Sequence, residues 1–481
     1  MTPPNLMPVL PEIVLLCAAC TILIVDLFLP PARRPVSYWL TQAALLVTAW
    51  IVLTTAHAAA VKTFSNMVVD DMVADLLKLF ALVAVSAGLF YGRRYLETRG
   101  LFRGETFVLM LFAALGMMVL IKANHFLTLY LGLELMSLSL YALVALQRGE
   151  AAPSEAAMKY FVLGAMASGL FLYGVSMVYG ATGVLDIDQV MRATLGDGAN
   201  RTLLTFGLVF VLSGIAFKLG VVPYHMWVPD VYQGAPTPIT LLIGTAPKLA
   251  AFALALRALA VALAGVEFDW QGMLIVLALL SMILGNVIAI AQTNIKRMLA
   301  YSTIANMGFM LMGFLAADLN GYSAAMFYAI TYVLTSLAAF GVVLLLTREG
   351  FEADALEDFR GLNQRSPWWA FIMLIVMFSL AGIPPTVGFY AKFAVIEAAV
   401  SAQFVWLAVV AVLASVVGAF YYLRIVKLMY FDDPVERAPI EARGDARAIL
   451  SVNGLALLAL GILPQPLMGL CVLALQQSHF N

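Results

Sequence analysis

Three cysteines and four histidines in 481 residues leave little room for redox chemistry. The common iron–sulfur clusters need four thiolates, so a cluster of that type is excluded. Cys17 and Cys20 form CAAC inside an apolar run, one helical turn apart, and read as small apolar filler. No disulfide framework is available. His57 and His479 lie at or beyond the ends of apolar runs, and His125 and His225 do not form a facing pair for a bis-imidazole haem. There is no P-loop, no glycine-rich dinucleotide turn after a strand and no His-Glu-x-x-His. Electron carriage and nucleotide hydrolysis are therefore not expected of this chain. Charge is scarce too. Only 11% of residues are charged, against roughly 25% in a soluble globular chain. A net charge of −1 leaves no strongly basic surface for nucleic acid. No basic segment with a small-residue cleavage site precedes the first apolar run, so no cleaved signal peptide is expected.

What fills the chain is apolar. Hydrophobic residues make up 63%, where about 45–50% is ordinary. The apolar runs are continuous rather than alternating, which favours membrane-spanning helices over a barrel. The expectation is an all-α polytopic membrane protein with about fourteen spans of roughly 20 residues each. Their centres fall near Cys20, Thr48, Ala84, Ala113, Leu135, Gly169, Leu212, Leu249, Leu280, Gly308, Tyr332, Ile383, Ala414 and Leu458. The loops sort by charge. Arg33, Arg34, Arg93, Arg94, Arg99, Arg103, Arg148, Lys159, Lys296, Arg297, Arg348, Arg360, Arg365, Arg424, Lys427, Arg437, Arg443 and Arg447 fall on one side. Lys62, Lys122, Arg192, Arg201 and Arg257 fall on the other, with the net acidic 182–200 segment. The positive-inside rule makes the first side cytoplasmic. An even number of spans then puts both termini on the opposite face.

Against this apolar background a few ionisable residues stand where charge is costly. Glu134, Lys218, Lys248 and Lys392 each lie near the middle of an apolar run. A charge at that depth costs roughly 2.5–3.5 kcal/mol on insertion scales, and such residues usually face a bundle interior and mark an ion or proton path. Glu134 has no basic neighbour within its own turn, so it is either a neutral carboxyl or paired with a lysine from another helix. The three lysines are too central for all to snorkel. Burial disfavours a charged amine, which makes proton release from them feasible. Lys159 lies about a turn inside the cytoplasmic edge, where snorkelling and a relay role are both open. Lys78 follows Asp75 at a spacing that suits a structural pair. His225, between Pro223 and Pro229, is a candidate relay or a loop donor. Several helices look broken. Pro223 and Pro229 follow the seventh span, Pro236, Pro238 and Pro247 punctuate the eighth, and Gly382-Ile383-Pro384-Pro385 interrupts the twelfth. Irregular backbone at membrane depth is tolerated where protein or a water-filled cavity satisfies it, and transporters aim such half-helix ends at ions.

The stretches LGLELMSLSLYALVAL, EAAMKYFVLGAMASGLFLYGVSMVYGATG, FKLGVVPYHMWVPDVYQGAPTPIT, NIKRMLAYSTIANMGF and AGIPPTVGFYAKF follow one another between positions 131 and 393. In these the chain resembles the antiporter-like subunits of proton-pumping NADH:quinone oxidoreductase, respiratory complex I. The resemblance implies two inverted five-helix repeats, spans 4–8 and 9–13, with spans 7 and 12 broken. It implies a division into residues 1–104 (spans 1–3), 105–265 (first repeat), 266–432 (second repeat) and 433–481 (span 14). It further implies that Glu134 and Lys218 form a proton-loading pair, that Lys248 is the central relay and that Lys392 stands on the exit side of the second half-channel. NADH, FMN, iron–sulfur clusters and quinone would then belong to other subunits of the assembly, none to this chain. The partners implied are the other membrane subunits of complex I and the lipid of a bacterial inner membrane, with both termini periplasmic. One position departs from the family. Many relatives read histidine where this chain has Asn306, and asparagine cannot titrate. A cation/proton antiporter subunit and a non-conducting scaffold are the competing readings, and the series of buried ionisable residues argues against the scaffold.

The charge bias yields a direct expectation. On a background lacking Cys17, Cys20 and Cys471, an impermeant thiol reagent applied outside the cell labels Asn481→Cys and does not label Glu97→Cys. The opposite pattern would reverse the orientation.

Overall fold

The computed structural model describes residues 4–30, 33–56, 60–147, 149–196, 198–434, 440 and 443–478; His57, His479, Arg148 and Arg437 lie outside them. The chain is a helical bundle. The first helices are α1 Leu10–Leu27 and α2 Pro35–Thr55, followed by a short hairpin, β1 Val61–Thr63 and β2 Val68–Asp70. Val61 lies opposite Asp70 in an antiparallel register. Next come α3 Met72–Thr98, α4 Gly104–Ile121, α5 Phe126–Val144, α6 Ala151–Thr182 and a short surface helix, α7 Ile187–Leu195. The middle of the chain is fragmented into α8 Arg201–Leu219, α9 Trp227–Gly234, α10 Thr237–Gly244 and α11 Ala246–Ala255. The second half holds α12 Glu267–Ile290, α13 Ile295–Phe314, α14 Leu319–Leu346 and the single turn α15 Leu362–Arg365. It closes with α16 Pro367–Ala381, α17 Val387–Ser401, α18 Val405–Phe431, α19 Gly444–Ile462 and α20 Gln465–Gln477.

Polar residues at the edges of the apolar runs set where helices begin. The side chains of Asp71, Asn200, Asn294 and Asp318 each accept a hydrogen bond from a backbone amide three residues on, in the first turns of α3, α8, α13 and α14. Among the described residues, 12 helices are long and apolar enough to cross a membrane. Two further expected spans differ from those for evident reasons. Lys296 and Arg297 open α13. The twelfth span is divided at Gly382 into two helices of 15 residues each.

Burial sorts the spans into centre and rim. Along an 18-residue stretch of each, Thr237–Ala262 is 100% buried and Leu319–Leu346 89% buried, whereas Gly444–Ile462 is 22% buried and leaves most of its side chains outside the bundle. The most extensive helix pairings are α4 on α5, α6 on α8, α12 on α13 and α14 on α17. Two of these pairings, α4 on α5 and α12 on α13, join helices consecutive in the chain.

Charges fall into two groups that do not mix. Arg99 reaches Glu352 at 2.8 Å, and Lys159 and Arg297 each reach Asp230 at 2.7 Å. Lys62 reaches Asp188 at 2.5 Å, Lys122 reaches Asp70 at 2.7 Å and Arg257 reaches Asp71 at 3.0 Å. These are the two sets that the loops separate by sequence. At Asp188, outside the spans, burial works to raise the carboxyl, but hydrogen bonds from Lys62 and Asn124 outweigh it and hold it below the usual carboxylate range. One expectation is corrected. Lys122, Arg257 and Lys296 read as loop charges, yet they are 1%, 4% and 4% exposed. Each is turned inward by an acceptor that the sequence does not reveal: Asp70 for Lys122, Asp71 for Arg257 and the Ala235 carbonyl for Lys296.

Candidate functional site

The site is built around two places where a helix stops at membrane depth. The end of α8 is closed by Gly220 at φ +78°, and the end of α16 by Gly382 at φ +83°. Glycine is the residue that enters this left-handed region without a Cβ penalty. In both cases a cis X-Pro bond follows three residues later, at Val222–Pro223 and at Pro384–Pro385. The last carbonyls of each half-helix have no amide four residues on to bond them, and they carry the negative end of the helix dipole.

A lysine occupies each of these ends. Lys248, in the first turn of α11, donates to the carbonyls of Lys218 at 3.3 Å and Leu219 at 2.9 Å. Lys392, on α17, reaches back across its own break to the carbonyls of Leu380 at 2.9 Å and Ala381 at 3.1 Å, and to Ser415 Oγ at 3.0 Å. Both lysines are buried. Hydrogen bonds involving a charged group contribute about 1.5–3 kcal/mol each. Two or three of them offset the roughly 2.5–3.5 kcal/mol cost of a charge at this depth. An aromatic face completes each seat: the ring of Trp227 lies 5.5 Å from Lys248 Nζ, and that of Phe309 lies 4.8 Å from Lys392 Nζ.

Lys218 is held differently. Its ammonium donates to Ser137 Oγ at 2.7 Å and lies 3.5 Å from the Tyr141 hydroxyl. Both partners are on α5, one and two turns after Glu134. Glu134 itself is half-buried, with Oε1 enclosed and without a hydrogen bond among the described residues. The expected Glu134–Lys218 ion pair is thus not closed; Ser137 takes the lysine instead. The rings of Tyr160 and Trp227 stack with centroids 4.6 Å apart, and Trp227 Nε1 donates to the Phe217 carbonyl, packing the space between Lys218 and Lys248.

The two candidate relays fall at different depths. Lys159 lies at the basic-loop edge, paired with Asp230 at 2.7 Å and Glu155 at 2.8 Å, its side chain 42% exposed. His225 sits in the break between α8 and α9, and its Nδ1 is buried without a hydrogen-bond partner among the described residues.

Beside the carbonyls that receive Lys392 lies a cluster of hydroxyls. Tyr332 donates to Thr303 at 2.7 Å, and Tyr328 donates to Asn306 Oδ1 at 2.7 Å. Asn306 Nδ2 donates to the Ser302 carbonyl at 2.8 Å. A polar cavity of about 10 Å³ lies against Asn306, Tyr328, Tyr332, Thr335, Ser379 and Leu380. That is room for one water, beside the carbonyl that receives Lys392. Sequence reasoning missed Ser137, Tyr141, Trp227 and Ser415. The first two were signalled by helical spacing from Glu134. Trp227 and Ser415 enter only through tertiary packing. No group of three or more metal-ligating side chains occurs among the described residues.

Comparison with known proteins places this geometry. Residues 123–418 match the family described as "NADH:quinone oxidoreductase/Mrp antiporter, TM". Proteins named NADH-quinone oxidoreductase subunit N from Herminiimonas arsenicoxydans and Thiobacillus denitrificans are each 57% identical, with 98% of both chains covered. A chain of respiratory complex I from Thermus thermophilus with bound aureothin is 33% identical, with TM-score 0.82 over 96% of this chain and 99% of that one. A chain of the Mrp complex from Dietzia sp. has TM-score 0.85 at 21% identity over 98% and 96%, a likeness of fold alone.

The glycine caps give a measurable expectation. Gly382→Ala introduces a Cβ 2.9 Å from Lys392 Cδ at a positive φ, with a cost on the order of 1–2 kcal/mol for the left-handed conformation alone. It lowers the melting temperature of the purified protein. Gly469→Ala, where a Cβ meets open space within α20, does not.

Proposed function

The chain belongs to the NADH:quinone oxidoreductase/Mrp antiporter membrane family, and on that premise we propose that it is the proton-translocating subunit, of the subunit N type, of an NADH-quinone oxidoreductase. The observation that carries this reading is the pair of buried lysines, Lys248 and Lys392, each seated on the free carbonyls of a broken helix. A protonated amine bonded to carbonyls is charged and stable; once deprotonated it keeps only neutral hydrogen bonds and is held less tightly. Such a seat suits a residue that alternates between the two states. Glu134 and Lys218 load the path, Lys248 relays and Lys392 delivers. Lys159 and His225 are accessory relays at the edge and at the break.

The redox chemistry belongs to partner membrane and peripheral subunits that hold NADH, FMN, iron–sulfur clusters and quinone. The protein lies in the bacterial inner membrane as a multi-pass chain with both termini periplasmic. Residues 105–265 and 266–432 form two inverted repeats, between 1–104 and 433–481. The paired helix packing and the matching glycine and proline breaks support this division. The antiporter reading is separated by purification. Co-isolation with flavin and iron–sulfur subunits supports the oxidoreductase; isolation with antiporter subunits alone overturns it.

Two sets of variants test the path in the assembled enzyme. Glu134→Ala and Lys218→Ala each cut proton pumping while leaving assembly largely intact; wild-type pumping in both would remove the loading pair from the mechanism. Lys392→Met keeps the stem and removes the charge. Lys392→Arg keeps the charge but scarcely releases a proton. Both impair pumping. Full pumping with arginine would show that the position supplies fixed charge only.

A further inference from the structure

A second group of buried ionisable residues lies away from this path. Glu12 on α1, Asp70 at the end of β2, Asp75 and Lys78 on α3, and Lys122 at the end of α4 converge on one point. It lies on the face opposite the basic loops. Lys122 reaches Asp70 at 2.7 Å and Lys78 reaches Asp75 at 2.9 Å. Glu12 stands between the two amines. Its Oε1 lies 3.7 Å from Lys78 and its Oε2 lies 3.7 Å from Lys122.

The chemistry of this arrangement follows from counting. Two amines face three carboxyl groups; each amine has one close carboxylate, at 2.9 Å and 2.7 Å, and Glu12, 3.7 Å from both, is left over. Glu12 is 8% exposed, and neither of its oxygens accepts a hydrogen bond from any described residue. Lys78 is 0% exposed. The Lys78–Asp75 pair lies within α3 and the Lys122–Asp70 pair joins the end of α4 to β2, so neither close pair uses Glu12. With all five groups ionised, the cluster keeps one buried negative charge in excess. Addition of one proton makes it neutral, and the proton then belongs to the coupled set rather than to one residue. Lys122 also donates to the Pro8 carbonyl, which leaves it less to give to Glu12.

The cluster is joined to the span that carries Lys248. Asp71, next to Asp70, pairs with Arg257 at 3.0 Å, and Arg257 Nε donates to the Ile121 carbonyl, next to Lys122, at 2.8 Å. Arg257 lies in a π-helical stretch, Leu256–Ala262, that continues α11. Such turns are frequent at functional sites. Along this span it is roughly 13 Å from Lys248 at helical rise.

We propose that Glu12, Asp70, Asp75, Lys78 and Lys122 form a second proton-binding site, which takes up and releases one exchangeable proton on the face opposite the basic loops. Uptake forms one carboxyl O–H bond from a hydronium ion at that face, and release returns the proton to water by the same edge. The side chains of Glu12 and Asp75, 10% and 11% exposed, provide that edge. This goes beyond the Glu134–Lys392 path and does not depend on it.

The test uses the whole assembled complex in lipid, without turnover. Infrared difference spectra between acid and alkaline pH report each carboxyl group that gains a proton. The wild-type complex shows a protonated-carboxyl band that Glu12→Gln removes or shifts, and Asp75→Asn alters the same band. Glu134→Ala leaves it in place, which separates this site from the pumping path. A spectrum unchanged in both cluster variants would overturn the proposal. So would failure of both isosteric variants to assemble, since the cluster would then be a fixed-charge lock of the fold.

Discussion

A lysine ammonium seated on the open carbonyls of a half-helix is the interaction from which the rest of the site follows. Neither partner is stable at membrane depth alone. The carbonyls at the ends of α8 and α16 lack amide donors, and each unsatisfied group in hydrocarbon costs several kcal/mol. The amines of Lys248 and Lys392 carry charge where charge is disfavoured. Together each satisfies the other. The helix must break for the carbonyls to be free, which requires Gly220 and Gly382 at positive φ. The break in turn must be surrounded by protein. The stretch of the Thr237–Ala262 span around Lys248 is accordingly buried throughout.

The same requirement orders the charges around the bundle. Lysines that face carbonyls rather than carboxylates sit at the centre. Ion pairs are kept for the edges, where Lys159 and Arg297 share Asp230 on one face and Arg257 holds Asp71 on the other. A full carboxylate at the centre would hold the amine charged through strong Coulomb attraction in low dielectric. A carbonyl, which bears no full charge, attracts it less. Lys218 fits the same logic, since its nearest acceptor is the neutral hydroxyl of Ser137 rather than Glu134.

Much of this was legible in the residues, and the exceptions share one cause. The spans follow from continuous apolar runs, and all but one of their expected centres lie inside a helix. The exception, Ile383, lies in the break that Pro384 and Pro385 announce. Depth was legible for Lys218, Lys248 and Lys392, because position along an apolar run reports depth. Partners were not. Glu134 and Lys218 looked like a pair because each lacked a charged neighbour, yet Ser137 and Tyr141 on the same helix face reach the lysine first. Lys122, Arg257 and Lys296 looked like loop charges because they end or begin apolar runs, yet each is folded inward onto an acceptor from a distant segment. One-dimensional patterns carry depth and periodicity; they do not carry which helix stands beside which.

Asn306 shows how a non-titrating residue fits such a path. Its amide accepts from Tyr328 through oxygen and donates to Ser302 through nitrogen, so both ends are engaged. It holds no exchangeable proton. Asn306 therefore fixes the Tyr328 hydroxyl against the Ser302 turn without itself titrating. The cavity beside it lies against Tyr328, Tyr332 and Ser379 and admits one water. Ser379 in turn lies 3.3 Å from Thr335, one residue before the carbonyl that receives Lys392. A histidine at position 306 would add a titratable ring beside these hydroxyls, whereas asparagine adds only a fixed donor and acceptor. The cationic side chains of this region are then Lys248 and Lys392, each bonded to half-helix carbonyls.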